Sequence, residues 1–257
     1  FWTGSGGNGK SKIIELFEMC FGDYCCKLPV TAFTKGRSSS GQATPEIARL
    51  RGKRFVSLQE PETGDGFALG FMKELTGGDK IMARAMFQEP FEFKPQFKFI
   101  LTCNDLPELS KMDGGTRRRV RVVDFPSRFV DNPDPSKLNE YLVDTDLDEK
   151  MKQWPEIFMR LLIDEYRKYK EDGYKIEEPD EVTQETKKYE NSCNVFKQFI
   201  DDMIIEDPRA KGLKILTVHQ VFKGWWNRCG SSRKVPSRGE LKKAMNERFG
   251  EYSKIWK

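Results

Sequence analysis

Apolar residues recur at helical spacing from Lys10 to Phe21, where Ile13, Ile14, Leu16, Phe17 and Cys20 share one stripe and Gly22 supplies a stop. Thr44-Pro45-Glu46 reads as an N-cap, a proline at the first helical position and an acidic first turn. It predicts a short helix running through Leu50. Residues 54–58 and 97–103 are short β-rich runs bounded by polar positions, the pattern of buried strands. Between them, 69–75 predicts a helix that stops at Gly77-Gly78, and 120–125 predicts a further strand closed by Pro126. Strands alternating with helices predict an α/β fold with a mainly parallel sheet.

The pattern changes after residue 130. Residues 131–190 are acidic and helix-rich, with Pro133 and Pro135 at the boundary. Ile157, Phe158, Leu161, Leu162 and Tyr166 form an amphipathic helix, expected as a lid or linker packed on the core, and the polar stretch 177–185 reads as a hinge. In 191–257, Thr217-x-x-Gln220 and Ser237-x-x-Glu240 have the spacing of two capping boxes. The first would open a helix with Val221, Phe222, Trp225 and Trp226 that ends near Gly230; the second would open one with Leu241, Met245 and Phe249. With basic Ser231-Ser232-Arg233-Lys234 between them, the pair suits a helix-turn-helix or winged-helix module, its second helix entering a groove. A helical cap with its tryptophans in a core fits equally well. The expected division is an α/β core over 1–130, a helical lid or linker over 131–190 and a small basic domain over 191–257.

Composition sharpens this division. Of 257 residues, 37% are hydrophobic, enough to bury a core. The net charge of +4 conceals an asymmetry: residues 209–257 hold thirteen Lys/Arg against Glu240, Glu247 and Glu251, leaving a surplus of six acidic charges elsewhere. Such a basic tail suits a phosphate backbone, whose counterions are released as phosphates are neutralised, although a solvated basic surface has the same composition. His219 is the single histidine, which argues against histidine-built metal sites. The six cysteines have no C-x-x-C spacing, so a reduced, intracellular protein is expected. No apolar run approaches the roughly 18–20 residues of a membrane span. The chain opens at Phe1, almost inside a motif, and reads as a fragment of a longer polypeptide.

That motif is Gly4-Ser5-Gly6-Gly7-Asn8-Gly9-Lys10-Ser11, a full match to G-x-x-x-x-G-K-[ST]. Its glycines let successive N–H groups turn inward as a nest for phosphates, Lys10 reaches the β/γ oxygens, and the Ser11 hydroxyl is placed to ligate Mg²⁺. ATP and Mg²⁺ are therefore the expected substrate and cofactor. Such a site needs an acid at the end of a buried strand, to hold Mg²⁺ through water or activate the attacking water. Glu60 is placed for it, with Glu62 as an alternate; an ordinary Glu-Pro-Glu turn is the competing reading. Asn104 ends the next apolar strand, where an amide can orient water without adding charge.

Between these strands, 84–98 reads as a hairpin excursion carrying Phe87, Phe91, Phe93, Phe97 and Lys94, suited either to gripping a single strand by charge and stacking or to its own packing. Gly114-Gly115-Thr116-Arg117-Arg118-Arg119 places three arginines beside a glycine turn, as an arginine finger for a neighbour's γ-phosphate or as basic surface.

In this order the motifs resemble superfamily 3 helicases, and above all the primase–helicases of poxviruses, giant DNA viruses, phages and plasmids. The matching stretches are GSGGNGKSK, ATPEIARLRGKRFVSLQEPE, LTGGDKIMARAMFQEPFEFKPQFKFILTCNDLP and DGGTRRRVRVVDFP, within residues 1–130. The resemblance implies an AAA+-like P-loop fold working as a ring, usually a hexamer, with ATP between subunits, single-stranded DNA through the centre and replication forks as targets. It implies Walker A at Lys10 and Ser11, Walker B at Glu60, sensor 1 at Asn104 and the finger at Arg118 or Arg119. Lys80, Arg84 and Lys94 fall in the segment that supplies a DNA-gripping hairpin. The basic tail resembles the family's C-terminal winged-helix-like domain more weakly, and the primase and helical collar would lie upstream. Two alternatives from other classes are a DNA-binding assembly protein that ATP only switches, and a P-loop small-molecule kinase.

Overall fold

The computed structural model describes residues 1–29, 31–34, 42–59, 67–107, 109, 112–205, 207, 209, 212–229, 235–253 and 255–256. Glu60, Glu62 and the basic turn 230–234 lie outside the described residues. The chain divides into two compact units, Phe1–Tyr189 and Glu190–Lys257.

The first unit opens with β1 (Trp2–Thr3), α1 (Lys10–Phe21), β2 (Cys25–Pro29), α2 (Thr31–Thr34), α3 (Pro45–Ala48), β3 (Phe55–Gln59) and α4 (Leu69–Leu75). A hairpin follows, β4 (Ile81–Ala83) and β5 (Phe91–Phe93), then β6 (Lys98–Thr102), α5 (Gly114–Arg117) and β7 (Val123–Asp124). The central sheet has the order β2-β3-β6-β1-β7, and every pairing in it is parallel. Neighbouring residues of a strand face opposite sides. On one side Phe55 stacks on Phe17 of α1 at 4.6 Å. On the other, Phe99 meets Phe33 of α2 edge-on at 5.2 Å, and Phe33 stacks on Phe67. Both faces are therefore covered, as a parallel sheet requires.

Several boundaries depart from the sequence expectation. The strand expected over 120–125 shrinks to Val123–Asp124: Val120 and Val122 are buried, but the Val122 N–H donates to the Thr186 hydroxyl at 3.0 Å instead of to a strand. The helix after Thr44 ends at Ala48, and the Thr44 hydroxyl does not cap it. That hydroxyl accepts from the Arg84 N–H at 3.1 Å, tying α3 to the end of β4.

After β7 come β8 (Arg128–Val130) and β9 (Glu140–Leu142), a parallel pair in register Phe129 to Tyr141. Then follow α6 (Leu147–Met151), α7 (Pro155–Glu171) and α8 (Asp180–Ser192). α7 lies on α1, where Phe158 meets Phe17 edge-on at 5.0 Å. The stretch expected as a hinge begins α8 instead, anchored because Thr186 and Tyr189 are buried and the Tyr189 hydroxyl donates to the Pro107 carbonyl.

The second unit holds α9 (Val195–Met203), α10 (Ile215–Arg228) and α11 (Arg238–Phe249), with an antiparallel bridge between Leu213 and Trp256. Phe199, Phe222, Trp225, Trp226, Leu241, Met245 and Trp256 form its core. α11 has both bonds of the Ser237/Glu240 capping box. The box expected at Thr217 does not form, since α10 has already begun at Ile215 and Lys214 is its N-cap.

Candidate functional site: a glycine loop at the carboxyl edge of the sheet

Strand register assembles the site. Trp2 pairs with Thr102, Thr102 with Gln59 and Thr3 with Asp124, so β1, β3, β6 and β7 end side by side. The connections leaving β1 and β6 run in opposite directions along the sheet, to β2 and to β7. Open α/β sheets bind ligands at such a point, outside the strands' carboxyl ends.

The loop from Gly4 to Gly9 occupies this edge. At Gly4, with φ +130°, a Cβ would come within 2.6 Å of the Phe125 carbonyl oxygen. Gly9 is the left-handed N-cap of α1, at φ 86° with no side-chain cap, so the first N–H groups of this 12-residue helix face the loop. Asn8 and Lys10 are both buried, each 6% exposed. The Lys10 ammonium donates to the Gly4 carbonyl at 2.6 Å and to Asn8 Oδ1 at 3.1 Å. Asn8 Nδ2 donates to the Phe125 carbonyl at 3.3 Å, and the Phe129 N–H to the Gly7 carbonyl at 2.8 Å. The loop is thus fixed on both flanks, while Ser5, Gly6, Gly7 and Ser11 are exposed.

Asn104 follows β6 beside this loop: its carbonyl accepts from the Thr3 hydroxyl at 3.0 Å, and the residue is exposed. Cys103, next to it, is buried and its thiol is pushed up by burial, so it stays protonated at neutral pH. Neither Arg118 nor Arg119 hydrogen-bonds to the loop among the described residues. Arg117 and Arg118 are exposed, whereas Arg119 Nη1 is bound to the Gly115 carbonyl at 2.8 Å and its Nε is buried without a partner among the described residues.

On the β4–β5 hairpin, Arg84 Nε braces the turn through the Gln88 carbonyl at 3.0 Å. Lys80 and Lys94 are exposed, Lys80 4.0 Å from Glu92. The aromatic set divides: Phe93 and Phe97 are buried and Phe91 lies under the Arg51 guanidinium, but Phe87 is 99% exposed at the tip with φ 57°. Sequence marked Phe87 as one of four aromatics; only the fold separates it from the three that pack. Among the described residues no cluster of His, Cys, Asp and Glu is arranged to hold a metal ion, and no helix is long and apolar enough to cross a membrane.

The fold is a mixed α/β one built on a parallel sheet, and a solved structure shares it: the C-terminal region of NrS-1 in an apo form, with a TM-score of 0.53 and 16% identity over 88% of this chain and 46% of that one. Residues 2–119 match a family model described as a family of unknown function, DUF5906. Among curated proteins the chain is 38% identical to "Putative helicase L207/L206" of Acanthamoeba polyphaga mimivirus, over 98% of this chain and 27% of that protein. It is 32% identical to "Putative helicase 022R" of Frog virus 3 and 25% identical to "Putative primase C962R" of African swine fever virus, each over 88% of this chain and 24% of the relative. The chain therefore spans about a quarter of the length of these relatives.

Proposed function

We propose that this chain is the ATP-hydrolysing core of a superfamily 3 DNA helicase, part of a viral or plasmid primase–helicase acting inside the host cell where that DNA replicates. The observation that carries this reading is the buried Lys10 held at the mouth of the Gly4–Gly9 loop, at the carboxyl edge of a parallel sheet. A buried ammonium that donates to a carbonyl and an amide oxygen is poised to exchange these for phosphate oxygens, a stronger charge-assisted bond. The first turn of α1, where Ser11 is exposed, adds backbone N–H groups and the positive end of the helix. The viral relatives named helicase and primase point the same way.

In this reading Gly4, Ser5, Gly6, Gly7, Asn8 and Gly9 cradle the triphosphate, and Asn8 keeps Lys10 aligned. Ser11 and Glu60 are the residues that would hold Mg²⁺, which would neutralise phosphate charge when bound. Glu60 accepts the proton of the attacking water, and Asn104 orients that water. Arg118 is exposed at the end of α5 and supplies the finger to a neighbouring subunit's γ-phosphate, while Arg119 is the anchored partner that stiffens the segment. Lys80, Arg84, Lys94 and the tip residue Phe87 grip single-stranded DNA, and the hairpin shifts with the hydrolysis state of a ring, usually a hexamer. The second unit is the winged-helix-like module, with exposed Arg238, Lys242 and Lys243 along α11 for a phosphate backbone.

ATP hydrolysis measured with and without single-stranded DNA, for wild type and Lys10→Ala, tests the proposal. DNA-stimulated hydrolysis abolished by the substitution is expected; equal rates in the two proteins would overturn it.

A further inference from the structure

Two partly exposed aromatic rings lie on the β8–β9 pair, one of them against the glycine loop. Phe129 on β8 and Tyr141 on β9 lie 5.8 Å apart at 35°, yet remain 42% and 49% exposed. The other rings bordering the loop, Trp2 and Phe125, are turned on each other at 5.3 Å. Phe129 is tied directly to the loop: its N–H holds the Gly7 carbonyl at 2.8 Å, and a Cβ at Gly9 would stand 3.6 Å from its ring.

The strand pair that carries the rings is braced from one point. The Glu140 carboxylate, 10% exposed, accepts from the Asp134 N–H at 3.0 Å and from Lys137 Nζ at 3.2 Å, and it faces Arg128 Nη1 at 3.8 Å. These bonds hold its carboxyl below the ordinary glutamate range. The ring surface is thus stiff, open to solvent and joined to the loop by one hydrogen bond.

We propose that Phe129, with Tyr141 alongside, is the stacking platform for the base of the nucleotide whose phosphates occupy the 4–11 loop. The assignment rests on the nucleotide-binding reading above. A flat apolar ring recognises any base by its π-face and needs no edge contacts. A group joined to loop-bound phosphates through a sugar has this platform as its aromatic neighbour. Tyr141 widens the surface across the strand pair.

The test uses calorimetric binding of ATP and of inorganic tripolyphosphate to the full 257-residue chain. Wild type should bind ATP more tightly than tripolyphosphate. Phe129→Ala should weaken ATP by about 5- to 100-fold, the usual effect of removing one stacking ring, and leave tripolyphosphate within about 2-fold. Phe129→Trp should restore ATP binding and report it, its added fluorescence being quenched by ATP and not by tripolyphosphate. Equal losses for both ligands would make Phe129 a loop support and overturn the platform, as would unchanged ATP affinity in Phe129→Ala. If wild type binds neither ligand, the nucleotide reading itself falls and the platform with it; if it binds both equally, only the platform falls.

Discussion

Lys73 of α4 places its ammonium 2.7 Å from both carboxylate oxygens of Asp113, the N-cap of α5. The same carboxylate accepts from the Thr116 N–H at 2.9 Å and from its hydroxyl at 3.0 Å. One side chain therefore starts the arginine-bearing turn and binds it to the helix that leads into the β4–β5 hairpin. In the proposed motor this is the mechanical link between the finger of one site and the DNA-gripping segment of the same subunit.

The pH dependence of stability should reveal this link. The Lys73 ammonium, and after it the Thr116 amide and hydroxyl, hold the Asp113 carboxyl well below the usual carboxylate range. A depressed folded-state pKa means that the unfolded chain takes up the proton first as pH falls, so the contribution is complete above about pH 5 and is lost on further acidification. Urea unfolding at pH 7 and pH 3.5 should show a smaller acid-induced loss for Asp113→Asn than for wild type. An equal loss in the two proteins would show that other carboxylates carry it.

Asn8 should be the most sensitive polar residue of the loop. Its buried amide bridges the partly buried Phe125 carbonyl and Lys10, so Asn8→Ala removes one hydrogen-bond partner from each, while Lys10 keeps the Gly4 carbonyl. Stability should fall by about 1–3 kcal/mol, the range for hydrogen bonds lost from buried and partly buried groups, and ATP affinity should fall with it. Asn8→Ser should recover neither in full, since its hydroxyl is too short to span the gap. Chemical unfolding and nucleotide titration on the same samples read both effects.

How much of this the sequence reveals depends on the range of the interactions. The glycine loop and α1 follow from local chemistry, a phosphate-loop spacing followed at once by a 3.6-residue stripe ending at Gly22. β2 has a local signal too, since Cys26 and Leu28 are buried and Lys27 is exposed, but this period-two pattern is masked by cysteines that count weakly as strand formers. The capping box at Thr217 shows the opposite failure, a valid local pattern overridden because the apolar stripe of α10 starts two residues earlier. The polarity of 177–185 suggests a hinge and hides the anchor that distant partners, Val122 and Pro107, supply to α8. No local pattern encodes Lys73 with Asp113, forty positions apart, or shows that Phe87 alone of its aromatic set points outward.

Phe87→Ala should separate DNA grip from folding. The ring is 99% exposed, so its removal should leave thermal unfolding unchanged within about 0.5 kcal/mol. Single-stranded DNA affinity should fall by about 1–3 kcal/mol, the range for one stacked base. Lys94→Ala, by contrast, should reduce the salt dependence of binding by close to one phosphate contact, with the stacking contribution intact. Fluorescence anisotropy across a salt series distinguishes the two, and a Phe87→Ala protein with full DNA affinity would remove the hairpin tip from the interface.

The second unit should fail separately from the sheet unit when its own centre is emptied. Phe222 is fully buried, stacked on Phe196 at 5.6 Å and on Trp225 at 6.0 Å, and meeting Phe199 edge-on at 5.1 Å. Phe222→Ala should cost about 3–5 kcal/mol, because a cavity is added to the lost transfer energy and aromatic neighbours cannot close it. A 68-residue helical unit has only a small core, so that loss is comparable to its whole stability. Trp225 and Trp226 lie in the same core, so their fluorescence should red-shift as water enters. The ATP binding proposed for the Gly4–Gly9 loop would use residues of the first unit alone and should survive in Phe222→Ala; its loss would mean that the two units fold as one cooperative body.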